Sequence, residues 1–355
     1  MDKYLNHLLR PHWQPLLAAI VCLILGLSSG GMYFKHLTLK SLSLPQQYVD
    51  DSSYISHIAT RFTPQNKLTI ILLGGSVTRE ATLQDDVIEK LWQEKYSEDI
   101  DFINIGSSNQ SLFESLALLT TMGIPKNSII VQQFSYKKIN TNLDALKSEY
   151  LTPRTTYLDY SLLEPMLSFS DIIQRKLTPD LLLFAGPIRN YLAKRGCGYI
   201  SLVSHEGRSR CYKDKIIKRF HYSGIKPMSK LEKTKYLREM QREVIPNYKR
   251  NYKLSIETLS KISNLVHSNG GKLVLAIYPF DQLEKEINDI ITSSDLYNKV
   301  YSESNRLGKI LHYGNSSDFS HDDFYDTQHL TLSGKNKFSD IFINKTHRFS
   351  KGGIQ

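Results

Sequence analysis

The stretch KLTIILLGGSVTRE, Lys67 to Glu80, decides how the chain is read. An apolar, β-rich run from Leu68 to Leu73 halts at Gly74-Gly75, and Ser76 then opens a segment of helical character. This is a strand, a tight turn and a helix N-terminus with a hydroxyl at the corner. Unpaired backbone N–H groups at such a corner can stabilise an anion. Ser76 therefore has two readings: the N-capping serine of a turn, or a nucleophile held clear of a sheet.

Downstream, Thr78 to Lys95 carries Ala81, Val87, Ile88, Leu91 and Trp92 at largely helical spacing, which predicts an amphipathic helix. Ile100 to Ile105 reads as a second strand, ending at Gly106-Ser107-Ser108-Asn109. Ser111 to Met122 reads as a buried helix stopped by Gly123, and Ser128 to Phe134 as a third strand. Leu273 to Tyr278 and Lys309 to Tyr313 supply a fourth strand and a short fifth. Strands alternating with helices predict an α/β fold, a three-layer sandwich on a parallel five-stranded sheet with right-handed crossovers. Ligands of such sheets lie beyond the carboxyl ends of the strands, where Ser76 and the 106–109 loop fall.

Near the C-terminus Asp326 and His329 stand three apart, just before a helix expected from about Thr331. A histidine that takes a proton from serine needs a carboxylate to fix its tautomer and stabilise the imidazolium. One turn of chain lets Asp326 and His329 meet.

Gly74-Gly75-Ser76 after the first strand, Asn104-x-Gly106 after the second and Asp326-x-x-His329-Leu-Thr before the last helix resemble the blocks of the SGNH (GDSL-like) hydrolase superfamily. The resemblance covers roughly residues 67–135 and 270–345. It implies a flavodoxin-like sandwich with Ser76 as nucleophile, His329 as general base and Asp326 as its partner. The Ser76 and Gly106 N–H groups would be oxyanion donors. It also implies ester hydrolysis or acyl transfer through an acyl-enzyme, with O-acetyl the expected group and a cell-envelope polysaccharide the expected substrate. Tethered members often take the acyl group from a multispanning membrane partner. One block departs: where the superfamily has Gly-x-Asn-Asp after the third strand, this chain has Gln132-Gln133-Phe134-Ser135-Tyr136. Asn109 or Gln133 is left to supply an amide. The departure keeps open a non-catalytic glycan-binding or assembly protein on a degenerate scaffold. Arg79 can bind an anionic substrate group or pair with a nearby acid such as Glu80.

The rest of the chain frames this core. Leu16 to Phe34 carries no charge and is long enough to cross about 30 Å of hydrocarbon as a helix. Residues 1–35 are therefore expected to be a cytoplasmic tip and signal-anchor, with a cleaved signal peptide as the alternative. The anchor implies a single-pass inner-membrane protein whose body lies in the periplasm or outside the cell. Residues 36–66 read as a stalk, 67–136 and 251–355 as the two halves of the core, and 137–250 as a mainly helical insertion. Between Arg175 and Lys253 there are 20 Lys plus Arg against 6 Asp plus Glu, part of a formal net charge of +10. Behind an anchor that excess suits an acidic glycan or anionic lipid surface rather than nucleic acid, for which no motif is present. Cys197 and Cys211 are the two cysteines of the exported body and are expected to form a disulfide, stabilising by about 3 kcal/mol for a loop of roughly 15 residues.

No cofactor is expected. The cluster Asp318, His321, Asp322, Asp323, Asp326 and His329 lacks the spacing of a metal motif, and His205 and His221 read as surface residues.

Overall fold

In a computed structural model the run Leu68–Leu73 is β1, next to the edge of a five-stranded sheet. The others are β2 (Ile100–Asn104), β3 (Ser128–Gln133), β4 (Lys272–Ile277) and β5 (Lys309–His312). Every pairing is parallel and the order is β2-β1-β3-β4-β5, so the strand order reverses between β1 and β3. The structure describes residues 15–23, 25–26, 55, 58–60, 62–135, 138–139, 142–151, 158–177, 228–284, 289, 292, 294–314 and 317–352.

Helices cover both faces. In chain order they are α1 (Ser76–Ala81), α2 (Asp85–Tyr96), α3 (Leu112–Met122), α4 (Leu143–Leu151), α5 (Phe169–Leu177), α6 (Lys230–Ser268), α7 (Asp295–Leu307) and α8 (Leu332–Ser350). Period-two alternation along the strands splits the core. Ile71, Leu73 and Ile130 meet Phe113, Leu116, Ile262, Val266 and Val300 on one side. Ile70, Leu72 and Val131 meet Ile88, Trp92, Phe338 and Phe342 on the other. Burial on both faces is why the strands read as continuous apolar runs.

Four sequence expectations change. The single helix expected over Thr78 to Lys95 is two, α1 and α2, broken at Thr82–Gln84. Tertiary bonds compensate the break: Asn104 Nδ2 donates to Thr82 Oγ1 at 3.1 Å, and Leu83 N donates to Ser339 Oγ at 3.1 Å. A capping box at Ser229 and Glu232 opens α6, which runs on unbroken to Ser268, so one helix crosses the boundary expected at 250/251 between insertion and core. The end of the expected stalk belongs to the body, since Ile55 and Ala59 are buried in the core. The expected insertion also belongs to it in part, through Ile139, Leu146, Tyr150, Leu163 and Leu237.

Residues 15–23 are helical, with Leu16, Leu17, Ile20, Val21 and Leu23 exposed. Among the described residues no helix is long and apolar enough to cross a membrane. Of the expected span Leu16 to Phe34, residues 24 and 27–34 lie outside the described residues, as do most of the stalk and of the basic stretch, His205, His221, Cys197 and Cys211.

Candidate active site

The reversal of strand order between β1 and β3 opens a crevice at the carboxyl ends of the sheet, and Ser76 stands in it as the first residue of α1. The turn before it needs glycine. Gly74 has φ 153°, and a Cβ there would lie 2.5 Å from Gln133 Cβ. From across the sheet, the segment between β5 and α8 brings His329 to the serine, with Nε2 2.8 Å from Ser76 Oγ. His329 Nδ1 lies 2.7 Å from Asp326 Oδ2. Because an ionised carboxylate only accepts, the proton sits on Nδ1 and the Nε2 lone pair faces the serine hydroxyl.

Asp326 is held by more than the imidazole. The backbone N–H groups of Gln328 and His329 both donate to its Oδ1 at 2.8 Å. Burial pushes its carboxyl up, but the bond from His329, that ring's charge and the two N–H groups outweigh burial and bring it down to about 2. Asp326 is thus an anion across the neutral range.

A cavity of about 420 Å³ adjoins the serine. Its polar lining includes Ser76, His329, Gln328, Asn109, Gln133 and Lys138. Its apolar wall includes Phe134, Tyr278, Pro279, Phe280 and Tyr297. Burial pushes the Tyr278 phenol up, against a smaller lowering effect of Thr78, so it is neutral there. The wall 278–280 follows β4, and the rule that ligands sit past strand ends was the signal for it.

The other expected site residues fall out differently. Gly106 is close by, yet its N–H donates to Asn104 Oδ1 at 3.0 Å, which takes it away from the oxyanion role expected of it. Asn109, at φ 59°, lines the cavity. Gln133 lines it too, with Oε1 accepting from Gly75 N–H at 2.7 Å. Arg79 turns to Glu80 and to Ser108 Oγ, the latter at 2.8 Å, and is not part of the cavity lining. Of its two expected roles the structure shows the ion pair. Glu80 is fully buried; its carboxyl is raised by burial against the lowering effect of Arg79.

Beside the segment that leads to Asp326, α6 inserts Lys233, which is 1% exposed. Its Nζ donates to Asp281 Oδ2 at 2.9 Å, Phe324 O at 3.2 Å and His321 O at 3.3 Å. Asp281 Oδ2 also meets His321 Nδ1 at 2.7 Å. The six acidic and histidine residues 318–329 therefore do not converge: His321 goes to Asp281, Asp323 to Lys337 and Asp326 to His329. No three His, Cys, Asp or Glu side chains are grouped for a metal among the described residues.

No protein-family model matches the chain, and no curated protein matches it either.

Proposed function

We propose that this protein is a serine-dependent acyl transferase or esterase of the SGNH type, moving an O-acetyl group on a cell-envelope polysaccharide. The observation that carries the reading is the continuous Ser76–His329–Asp326 relay, with contacts of 2.8 and 2.7 Å, opening on a cavity at the reversal of strand order. In that mechanism Ser76 Oγ attacks the ester carbonyl carbon as its proton passes to His329 Nε2. The tetrahedral oxyanion faces the first turn of α1, whose N–H groups lack intrahelical acceptors. Collapse expels the alcohol, which takes the proton from His329, and leaves the acyl group on Ser76. Water or a sugar hydroxyl then attacks the acyl-enzyme, giving its proton to His329, and collapse restores Ser76.

An exported, membrane-tethered body with a multispanning acyl donor as partner is part of the same proposal. The exposed apolar residues Leu16, Leu17, Ile20, Val21 and Leu23 support the tether. The basic stretch supports an acidic polymer as substrate. Turnover of an activated acetyl ester, with capture of acetyl on Ser76 by mass spectrometry, tests the chemistry. Ser76→Ala is expected to abolish both, and retained turnover would remove Ser76 from the mechanism. Product analysis with a glycan acceptor present separates transfer from hydrolysis.

The engagement of the Gly106 N–H by Asn104 favours a second reading, a glycan-binding or assembly protein that has lost catalysis. Absence of labelling by a serine-directed phosphonate, with glycan binding indifferent to Ser76→Ala, would establish it.

A further inference from the structure

We infer that Gln133 is a catalytic residue, its side-chain amide N–H stabilising the oxyanion beside the Ser76 backbone N–H; this rests on the acyl-enzyme reading of Ser76. Gln133 is the last residue of β3, the strand that pairs with β1 where the sheet order reverses. It is 7% exposed, and the exposed part faces the cavity shared with Ser76 and His329.

The geometry fixes which end of the amide is which. Gln133 Oε1 lies 2.7 Å from Gly75 N and 3.4 Å from Thr78 Oγ1. A backbone N–H can only donate, so the atom facing it is the oxygen, and Nε2 occupies the other branch. Gly75 is the residue before Ser76, which puts this amide against the peptide next to the nucleophile. An amide nitrogen bearing two hydrogens offers an anion a donor and nothing else.

The turn leaves room for this side chain at Gly74. A Cβ there would stand 2.5 Å from Gln133 Cβ and 2.8 Å from its Oε1, besides meeting Thr78 Oγ1. Gly74 thus admits the glutamine as well as forming the corner. Among alternatives, the Gly106 N–H is already donated to Asn104. Asn109 lines the same cavity without a clamp of the kind that Gly75 places on Gln133. A donor fixed before the reaction costs no reorganisation when charge develops, which is the condition for a large effect.

The test uses the full-length protein, an activated acetyl ester and a boronic acid as tetrahedral mimic. Wild-type protein must first be labelled at Ser76 by a phosphonate; failure there overturns the acyl-enzyme reading itself and this inference with it. Given labelling, Gln133→Glu and Gln133→Met are expected to lower kcat about 100- to 1,000-fold with KM within a few-fold, and to weaken boronate binding comparably. Two variants are used because Met also leaves the Gly75 N–H without its acceptor, whereas Glu retains one. Acylation at the wild-type rate in Gln133→Glu, or a loss confined to KM, overturns the assignment. So does the same loss of kcat and boronate affinity carried by Asn109→Ala in place of the Gln133 variants.

Discussion

The backbone N–H of Gly106 donates to the side-chain oxygen of Asn104, two residues earlier, at 3.0 Å. The other end of that amide donates to Thr78 O at 3.0 Å and Thr82 Oγ1 at 3.1 Å, so one buried side chain ties the loop after β2 to the helix that carries Ser76. Asn104→Ala leaves several buried polar groups without partners and is expected to cost about 3 kcal/mol of stability. Urea denaturation at unchanged m value checks it. A change below about 1 kcal/mol would show that water replaces the amide.

Asp326 carries the clearest pH signature. Its folded carboxyl is lowered from 3.8 to about 2, so it stabilises the fold fully above pH 4 and loses that contribution as pH falls toward 2. The amount is about 2 kcal/mol, for a side chain that is 17% exposed. Asp326→Asn is expected to flatten acid unfolding across that window. It should also lower acylation by about 10⁴-fold, since an amide no longer selects the tautomer with the proton on Nδ1. A variant whose acid-unfolding curve overlays that of the parent would contradict the first of these.

Lys335, in the first turn of α8, is held low for a different reason. Burial, and the charge of Arg79, lower its ammonium to about 8 against the opposing pull of Glu80. Here the folded state releases its proton before the unfolded chain does, so stability should rise as pH climbs from about 8 to about 10.5. Lys335→Met removes that rise. Thermal unfolding followed from pH 7 to pH 10 distinguishes the two proteins.

Lys233→Met should be among the costliest single changes. Deleting one partner of a buried ion pair costs about 3–5 kcal/mol, because the charge left behind is uncompensated. Here that charge is Asp281, 2% exposed at the side chain and 2.9 Å from Lys233 Nζ, which would keep His321 Nδ1 at 2.7 Å but lose its buried ammonium partner, placing the cost toward the lower end of that range. Adding Asp281→Asn should recover part of the loss. Denaturant midpoints of the single and double variants measure the coupling, and strictly additive losses would deny it.

The parts of this molecule that were legible in the sequence were those written locally. Five apolar runs bounded by Gly, Pro and Asn foretold five strands to within a residue at each end. Thr331 announced the start of α8. The Asp326–His329 pair was legible because three residues separate its members. Contacts between distant segments were not. Nothing around Lys233 points to Asp281, and nothing around Thr82 announces that Asn104 and Ser339 will satisfy a broken helix. Ile55 and Ala59 sit in a polar stretch with too little periodicity to mark them as core. Gly106 was expected to keep its N–H for a ligand, and only the three-dimensional fold shows Asn104 taking it.

The pairing of β3 with β4 also sets a schedule for the chain as it is made. Gln132 lies opposite Leu275, and Val131 opposite Val274. During synthesis at about 5–20 residues per second, β3 is finished roughly 140 residues before its second neighbour exists, a wait of about 7–28 s. Through that interval the β3 edge, with its Ile-Ile-Val run, has no second neighbour, and an unpaired apolar edge is the kind of template on which chains join one another. The long crossover therefore leaves that edge uncovered until β4 arrives.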